Sequence, residues 1–458
     1  MKDRNTWSMR SLIAALGDLV KEVRGNTGAA LSPVLTDSRK IEPGSIFVAL
    51  RGQKFDGHDF IDEVVKKGAA LVITDHMTGA DCPEIVVTDT GEALGAMAQA
   101  WREQFAIPLI CVVGSNGKTT TTQMIASILK AYCGESRVLA TQGNFNNEIG
   151  VPLTLLRLTS QTKVAVVEAG MNHEGEMAKL AGWIRPTCVV VTNAQREHQE
   201  FLEGVMGSAR ENAFAIVSLS AKGTAVLPIK DEAFGLWSDF ARARGCKVKT
   251  YCEGEDPLAQ VHVLATDDKL VINDRGDIVE SSLQLFGKHA VHDAAAAAAA
   301  TLAVGVSIEA VAKGLATFQP VKGRGVRHLL PNGAVVIDDA YNANPDSMLA
   351  AIDVLAAMPA PRVLIVGDMA EVGAKSAEFH AEIGQYAKRR GIDKLLAVGN
   401  EMRHAVKSFG AGARHFETLD DLILASRMAA TTPGTLLVKA SNSQGLSKVV
   451  DALLPQTR

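Results

Sequence analysis

LICVVGSNGKTTTTQMIASILKAY, residues 109–132, passes from an apolar run through a glycine turn into an amphipathic helix. Leu109 to Val113 are apolar without alternation, the pattern of a strand buried on both faces. Gly114-Ser115-Asn116-Gly117-Lys118-Thr119-Thr120 then reads as a phosphate loop. Glycines let backbone N–H groups curl around an anion, and the helix behind points its positive end at it. Lys118 would reach terminal phosphates and Thr119 would place a hydroxyl on Mg²⁺. Val112 stands where the general G-x-x-x-x-G-K-T pattern has its first glycine, and a plain strand-to-helix turn is the alternative reading.

Downstream the same rhythm repeats. KVAVVEAG and TCVVVTNA are further buried-type strands, each followed by a helical stretch. Strands alternating with helices imply a parallel, doubly wound sheet, which places its ligands at the C-terminal strand ends. Glu168 closes the first of these strands and His198 follows the second, so both are candidates to hold a metal beside the phosphates. Asn144, Asn146 and Asn147 form a polar cluster that is either loop chemistry or part of a site. TAVLP, KVKTY, VHVLA and KLVIN suggest an antiparallel appendage, followed by an alanine-rich helix. FQPVKGRG reads as a linker. Beyond it a third βα series appears (AVVIDDA, RVLIVGD, KLLAVGN, TLLVKAS), with Asp338, Asp339, Tyr341, Asn342, Gly367-Asp368-Met369-Ala370-Glu371, Lys439 and Ser441 at strand ends.

Residues before Ile107 alternate short β-rich runs with helical stretches, and TDSRKIEPG and RGQKFDGHDF are polar turns between them. The expected organisation is therefore α/β in three domains: a small α/β domain (1–107), a central phosphate-loop domain with a doubly wound parallel sheet and an antiparallel appendage (108–318), and a Rossmann-like α/β domain (319–458). A chain of 458 residues is long enough for about three cores.

Composition narrows the function. With 47% hydrophobic and 21% charged residues and a formal charge of −4, nothing favours nucleic acid or an anionic membrane surface. The six cysteines show neither metal-ligand spacing nor a disulfide framework, and Cys111 and Cys188 read as core residues. Lys2, Arg4 and Arg10 precede a hydrophobic stretch too short to span a membrane, and Ser8 instead opens a short helix through Met9, Leu12, Ile13 and Leu16. The expected compartment is the cytoplasm, with no stable membrane insertion.

Together these segments resemble the Mur ligase family, from Thr36-Asp37-Ser38-Arg39 to LVKAS near the C-terminus. DDAYNANPDSM (Asp338–Met348) and GDMAEVG with His380 downstream are most similar to the branch that joins D-alanyl-D-alanine to UDP-MurNAc-tripeptide. The resemblance implies an ATP- and Mg²⁺-dependent, ADP-forming ligase, expected as a monomer, acting through an acyl phosphate. It implies UDP-sugar binding at Thr36, Asp37, Ser38 and Arg39, and substrate contacts at Asn146 and Asn147. It implies ATP binding at Gly114 through Thr120, His289, Asp339, Tyr341 and Asn342. Thr119, Glu168 and His198 would hold the metal, and Lys118, Glu168 and His198 would be catalytic. Three positions depart from the family pattern. Ala290 and Asp293 stand where asparagines are usual near adenine, and Asn442 replaces an arginine. Arg210 occupies the place expected for a carbamylated lysine, so Glu211 beside it would supply that negative charge, unless both lie on a solvated helix face.

Overall fold

A computed structural model describes residues 6–52, 54–266, 269–285 and 287–455. Lys2, Arg4 and Gln53 of the segments quoted above lie outside them. Three sheets follow one another along the chain. The first holds β1 (Val20–Arg24), β2 (Val34–Leu35), β3 (Ile46–Val48), β4 (Leu71–Thr74) and β5 (Glu84–Val87) in the order β1-β5-β4-β3-β2, with only β1 antiparallel to its neighbour.

The central sheet contains β6 (Leu109–Val113), β7 (Val138–Ala140), β8 (Val164–Glu168), β9 (Cys188–Val191), β10 (Thr224–Pro228), β11 (Lys247–Glu253), β12 (Val261–Ala265), β13 (Leu270–Asp274) and β14 (Asp277–Ser281). Their order is β14-β13-β12-β11-β10-β9-β6-β8-β7. The antiparallel appendage begins later than the four short strands suggest. β10, β11 and β12 continue the parallel sheet, and only the β12–β13 and β13–β14 pairs are antiparallel. The turns explain this: Arg275-Gly276, with positive φ at both residues, is short enough for a hairpin, while a whole helix, Phe234–Ala243, separates β10 from β11.

Helix Lys118–Cys133 and the alanine-rich helix Lys288–Ala303 cover one face of this sheet. Ala294 through Ala300 are all fully buried. Helix Ile308–Thr317 packs so closely on Lys118–Cys133 that a Cβ on Gly314 would sit 2.3 Å from the Ile128 Cα, which is why a glycine stands there. On the other face the core is continuous with that of the first sheet and includes Trp7, Trp183 and Trp237.

The third sheet runs β15-β16-β20-β17-β18-β19, with β15 (Val326–Leu329), β16 (Val335–Asp338), β17 (Arg362–Val366), β18 (Lys394–Val398), β19 (Ala413–Phe416) and β20 (Thr435–Lys439). All but β15 are parallel to their neighbours. Register decides where the polar residues emerge. Val112 pairs with Glu168 and Val113 with Val191, so the phosphate loop, Glu168 and the chain after β9 leave one edge together. In the third sheet Asp338 pairs with Val438 and Val366 with Lys439, so Asp339, Gly367 and Ser441 share an edge too. The two edges face one another.

Candidate active site

Between these edges lies a cleft of about 1010 Å³. It is lined by Ser115 to Thr120, Asn146, Asn147, Glu168, His198, His289, Asp339, Tyr341 and Asn342, all of them expected site residues. Thr36 to Arg39 lie elsewhere, on the first domain. Asp37 caps the turn Ser38–Lys40 and accepts from the Arg39 Nε at 2.8 Å. That bond is the main reason its carboxyl is lowered to about 2. Arg39 is exposed and holds the Asp37 carboxylate through both Nε and Nη2.

Gly114 and Gly117 have φ of 124° and 80°, and a Cβ at either would collide with Thr192 or Asp293. Neighbouring segments pin the first half of the loop. The N–H groups of Gly114, Ser115 and Asn116 donate to the Asn212 Oδ1, the Asn193 carbonyl and the Asn193 Oδ1, at 2.9, 3.0 and 2.9 Å. Gly117 caps the helix without a side-chain bond, so the first-turn N–H groups at Lys118, Thr119 and Thr120 have no intrahelical acceptor and form the anion cradle. Lys118 Nζ folds back on the carbonyls of Gly114 and Ser115, at 2.5 and 2.9 Å, with Glu197 Oε2 at 3.4 Å.

Two buried carboxylates each keep an unpaired oxygen. Glu168 is 1% exposed; its Oε1 accepts from Thr119 Oγ1 at 3.1 Å and from Asn146 Nδ2 at 2.7 Å, while its buried Oε2 has no partner. Glu197 is buried as well, and its Oε1 is likewise unpartnered. Leaving a buried carboxylate oxygen unpaired is costly, so oxygens of this kind beside a phosphate loop suit a hard divalent cation. His198 Nε2 lies 3.9 Å from Glu197 Oε2, and its Nδ1 is 2.5 Å from the Glu371 Oε2 of the third domain. His198 and Glu371 both have positive φ, 47° and 58°, a conformation disfavoured for side-chain-bearing residues and held here by the junction.

The other wall comes from the third domain. Lys439 is buried; its Nζ meets Asp339 Oδ2 and the Asn342 carbonyl, each at 2.8 Å. The Arg324 guanidinium lies 4.1 Å from the centre of the Tyr341 ring. Asn344 caps helix Pro345–Ala356 and exchanges amide hydrogen bonds with Asn116, at 2.9 and 3.2 Å, across the cleft. Of the asparagine cluster, Asn146 reaches Glu168, whereas Asn147 accepts from Ile149 and Gly150 N–H and so shapes the next helix. Asp293 is buried beneath Gly117, and burial pushes its carboxyl up to about 7, against the pull of His292 and Arg324.

One expectation is corrected. Helix Gly204–Val217 is not a solvated Arg-Glu face: Arg210 is exposed, but Glu211 is 3% exposed and accepts the Met177 N–H at 2.9 Å, away from the cleft. The residue of that helix that reaches the phosphate loop is Asn212. Successive helical residues point about 100° apart, so a neighbour in sequence faces elsewhere. Sequence reasoning also passed over Asn193, Gln195, Arg196 and Glu197. Their only signal is the polar run directly after β9.

Three family models match the chain: the Mur ligase family, catalytic domain over residues 31–102; the Mur ligase middle domain over 112–301; and the Mur ligase, glutamate ligase domain over 323–442. The UDP-N-acetylmuramoyl-tripeptide–D-alanyl-D-alanine ligase of Escherichia coli K12 is 36% identical, covering 96% of this chain and 98% of its own length. The ligase of the same name from Bacillus subtilis is 33% identical over 92% and 93%. Among solved structures, a crystal structure of MurF from Acinetobacter baumannii has a TM-score of 0.90 at 29% identity, covering 98% of this chain and 99% of that one. MurF ligase from Thermotoga maritima, in complex with ADP, has a TM-score of 0.80 at 23% identity, covering 92% and 96%, and shares the fold.

Proposed function

The chain belongs to the Mur ligase family, and from that premise we infer that it joins D-alanyl-D-alanine to UDP-MurNAc-tripeptide at the expense of ATP, yielding UDP-MurNAc-pentapeptide, ADP and phosphate. The observation that carries this reading is the cleft itself: a phosphate loop on one sheet edge faces Asp339, Tyr341 and Asn342 on another, so a nucleotide held by both is enclosed on two sides. The γ-phosphoryl passes to the terminal carboxylate of the tripeptide, and the dipeptide amine then displaces phosphate from the acyl phosphate, forming the amide.

The residues divide the work by position. N–H groups of the phosphate-loop helix receive the phosphates, and Lys118, released from the loop carbonyls, balances charge on the transferring group. Thr119, Glu168 and His198 would hold Mg²⁺, with Glu197 offering a further oxygen; when bound, the ion neutralises phosphate charge. Asn146 keeps Glu168 oriented. His289 and the Arg324–Tyr341 stack border the nucleotide's far end. On the first domain Thr36, Asp37, Ser38 and Arg39 receive the UDP-sugar. The protein works as a monomer in the cytoplasm; among the described residues no helix is long and apolar enough to cross a membrane.

Phosphate release from ATP tests the reading. Release should require UDP-MurNAc-tripeptide and D-alanyl-D-alanine together, and Lys118→Ala should abolish it with an unchanged circular dichroism spectrum. Substantial turnover in that variant would remove Lys118 from the chemistry, and release without either acceptor would contradict the ligase assignment.

A further inference from the structure

We propose that Arg196 is a positioning residue that clamps the third domain onto the central one around the nucleotide, so that its loss weakens ATP binding far more than turnover. The proposal rests on the reading of the cleft as the ATP site.

Arg196 lies in the stretch after β9 that organises the phosphate loop. The preceding Gln195 donates its N–H to Ser115 Oγ at 2.9 Å and accepts from Asn116 Nδ2 at 2.6 Å; the following Glu197 stands beside Lys118. Arg196 itself turns the other way. Its N–H, Nε and Nη2 all donate to the Asp346 carboxylate, at 2.8, 3.0 and 2.6 Å, and its Nη1 donates to Glu382 Oε2 at 2.7 Å. The guanidinium also lies 5.2 Å from the centre of the Phe379 ring. Asp346 belongs to helix Pro345–Ala356, while Phe379 and Glu382 belong to helix Ser376–Arg389. One side chain of the central domain thus grips two helices of the third.

Planar, two-pronged pairing makes this grip directional, and partial burial protects it from screening. The side chains of Arg196 and Asp346 are each 23% exposed. Among the described residues two other side-chain bridges cross this junction, but each uses a residue of the reacting region: Asn116 with Asn344, and His198 with Glu371. Among the described residues that bridge the junction, Arg196 makes the most side-chain bonds and does not itself line the cleft, although its partner Asp346 does. Because its own N–H takes part, gripping Asp346 also fixes the backbone between Gln195 and Glu197. Docking of the third domain and shaping of the phosphate loop are therefore a single event.

The test is a double-mutant cycle on the KM for ATP in the full-length enzyme, using Arg196→Met, Asp346→Asn and the pair. Each single variant should raise KM for ATP about tenfold, with kcat within about twofold, because the lost contacts lie outside the chemistry. The double variant should be no worse than Arg196→Met, whose loss already includes the Asp346 contact along with those to Glu382 and Phe379. Arg196→Lys should fall between parent and Arg196→Met, as a lysine keeps the charge but not the fork. Asp346→Asn keeps the shape of the side chain, so it reports on the clamp even if Arg196→Met folds poorly. An unchanged KM for ATP in Asp346→Asn, or multiplicative effects in the double variant, would overturn the clamp while leaving the ligase reading intact if Lys118→Ala is still inactive. A parent enzyme without acceptor-dependent phosphate release would instead overturn the reading beneath it.

Discussion

Replacing Asp293 by Asn preserves the shape that fits under Gly117 and removes one titrating group from the floor of the phosphate loop. The carboxyl is raised from 3.8 to about 7, chiefly by burial, and at 4% exposure little solvent screening enters. A shift of about three units at about 1.4 kcal/mol each puts the linked free energy at about 4 kcal/mol as a ceiling. The sign follows from proton counts. Between pH 4 and pH 7 the unfolded chain has lost this proton and the folded chain keeps it, so rising pH takes stability away. Above about pH 7 the folded carboxylate is charged too, and the loss stays constant. Asparagine has no such dependence. The stability of Asp293→Asn relative to the parent should therefore climb from pH 4 to pH 7 and level off beyond it, with the variant ahead at pH 8. Urea unfolding followed by tryptophan fluorescence, run on both proteins across pH 5 to 8.5, measures the difference. The attraction of His292 and Arg324 for the charged carboxylate is lost in the variant, so the measured difference falls below that ceiling. Parallel pH profiles would show that Asp293 is already ionised in the fold at pH 5, and, like a variant less stable than its parent at pH 8, would refute the reasoning.

Three further outcomes are expected. Glu168→Ala and His198→Ala should each raise the Mg²⁺ concentration needed for half-maximal phosphate release by about tenfold or more; identical Mg²⁺ titrations would separate both residues from the ion. Arg39→Ala should raise the KM for UDP-MurNAc-tripeptide about tenfold while leaving those for ATP and D-alanyl-D-alanine alone; equal rises for all three would point to misfolding. Glu211→Ala leaves the Met177 N–H without its acceptor, so it should cost about 1–3 kcal/mol in unfolding experiments while turnover per folded molecule stays normal and indifferent to bicarbonate. A collapse of turnover at unchanged stability would restore a catalytic role to Glu211.

What the sequence made legible was local. Leu109 to Thr120 announces strand, glycine turn and helix within one window, and Glu168 is found by noticing where a buried strand stops. Long parallel strands such as β6, β8 and β17 stand out because their apolar runs are continuous. Short ones do not: β2 has two residues and β7 three, too few to show a period. The pairs that complete the cleft are longer-range still. Gly114 meets Asn212, Asn116 meets Asn344 and Arg196 meets Asp346, and nothing in the spacing of those residues records the packing of helices that joins them. Glu211 shows the opposite failure, since closeness in sequence to Arg210 says little about direction once both are on a helix.

The alanine-rich helix has a consequence for how this molecule can change over time. Ala294 to Ala300 have nothing beyond Cβ on any side, so the helix acts as a spacer of fixed gauge between the sheet and its outer helices. A methyl group offers no rotamers to rearrange and no spare volume to yield, so an added carbon must move a neighbouring element bodily. Its N-terminal end carries His289, His292 and Asp293 into the cleft, and any such movement is passed along the rigid rod to them. Small changes of size far from the nucleotide would therefore be felt as changes in nucleotide fit.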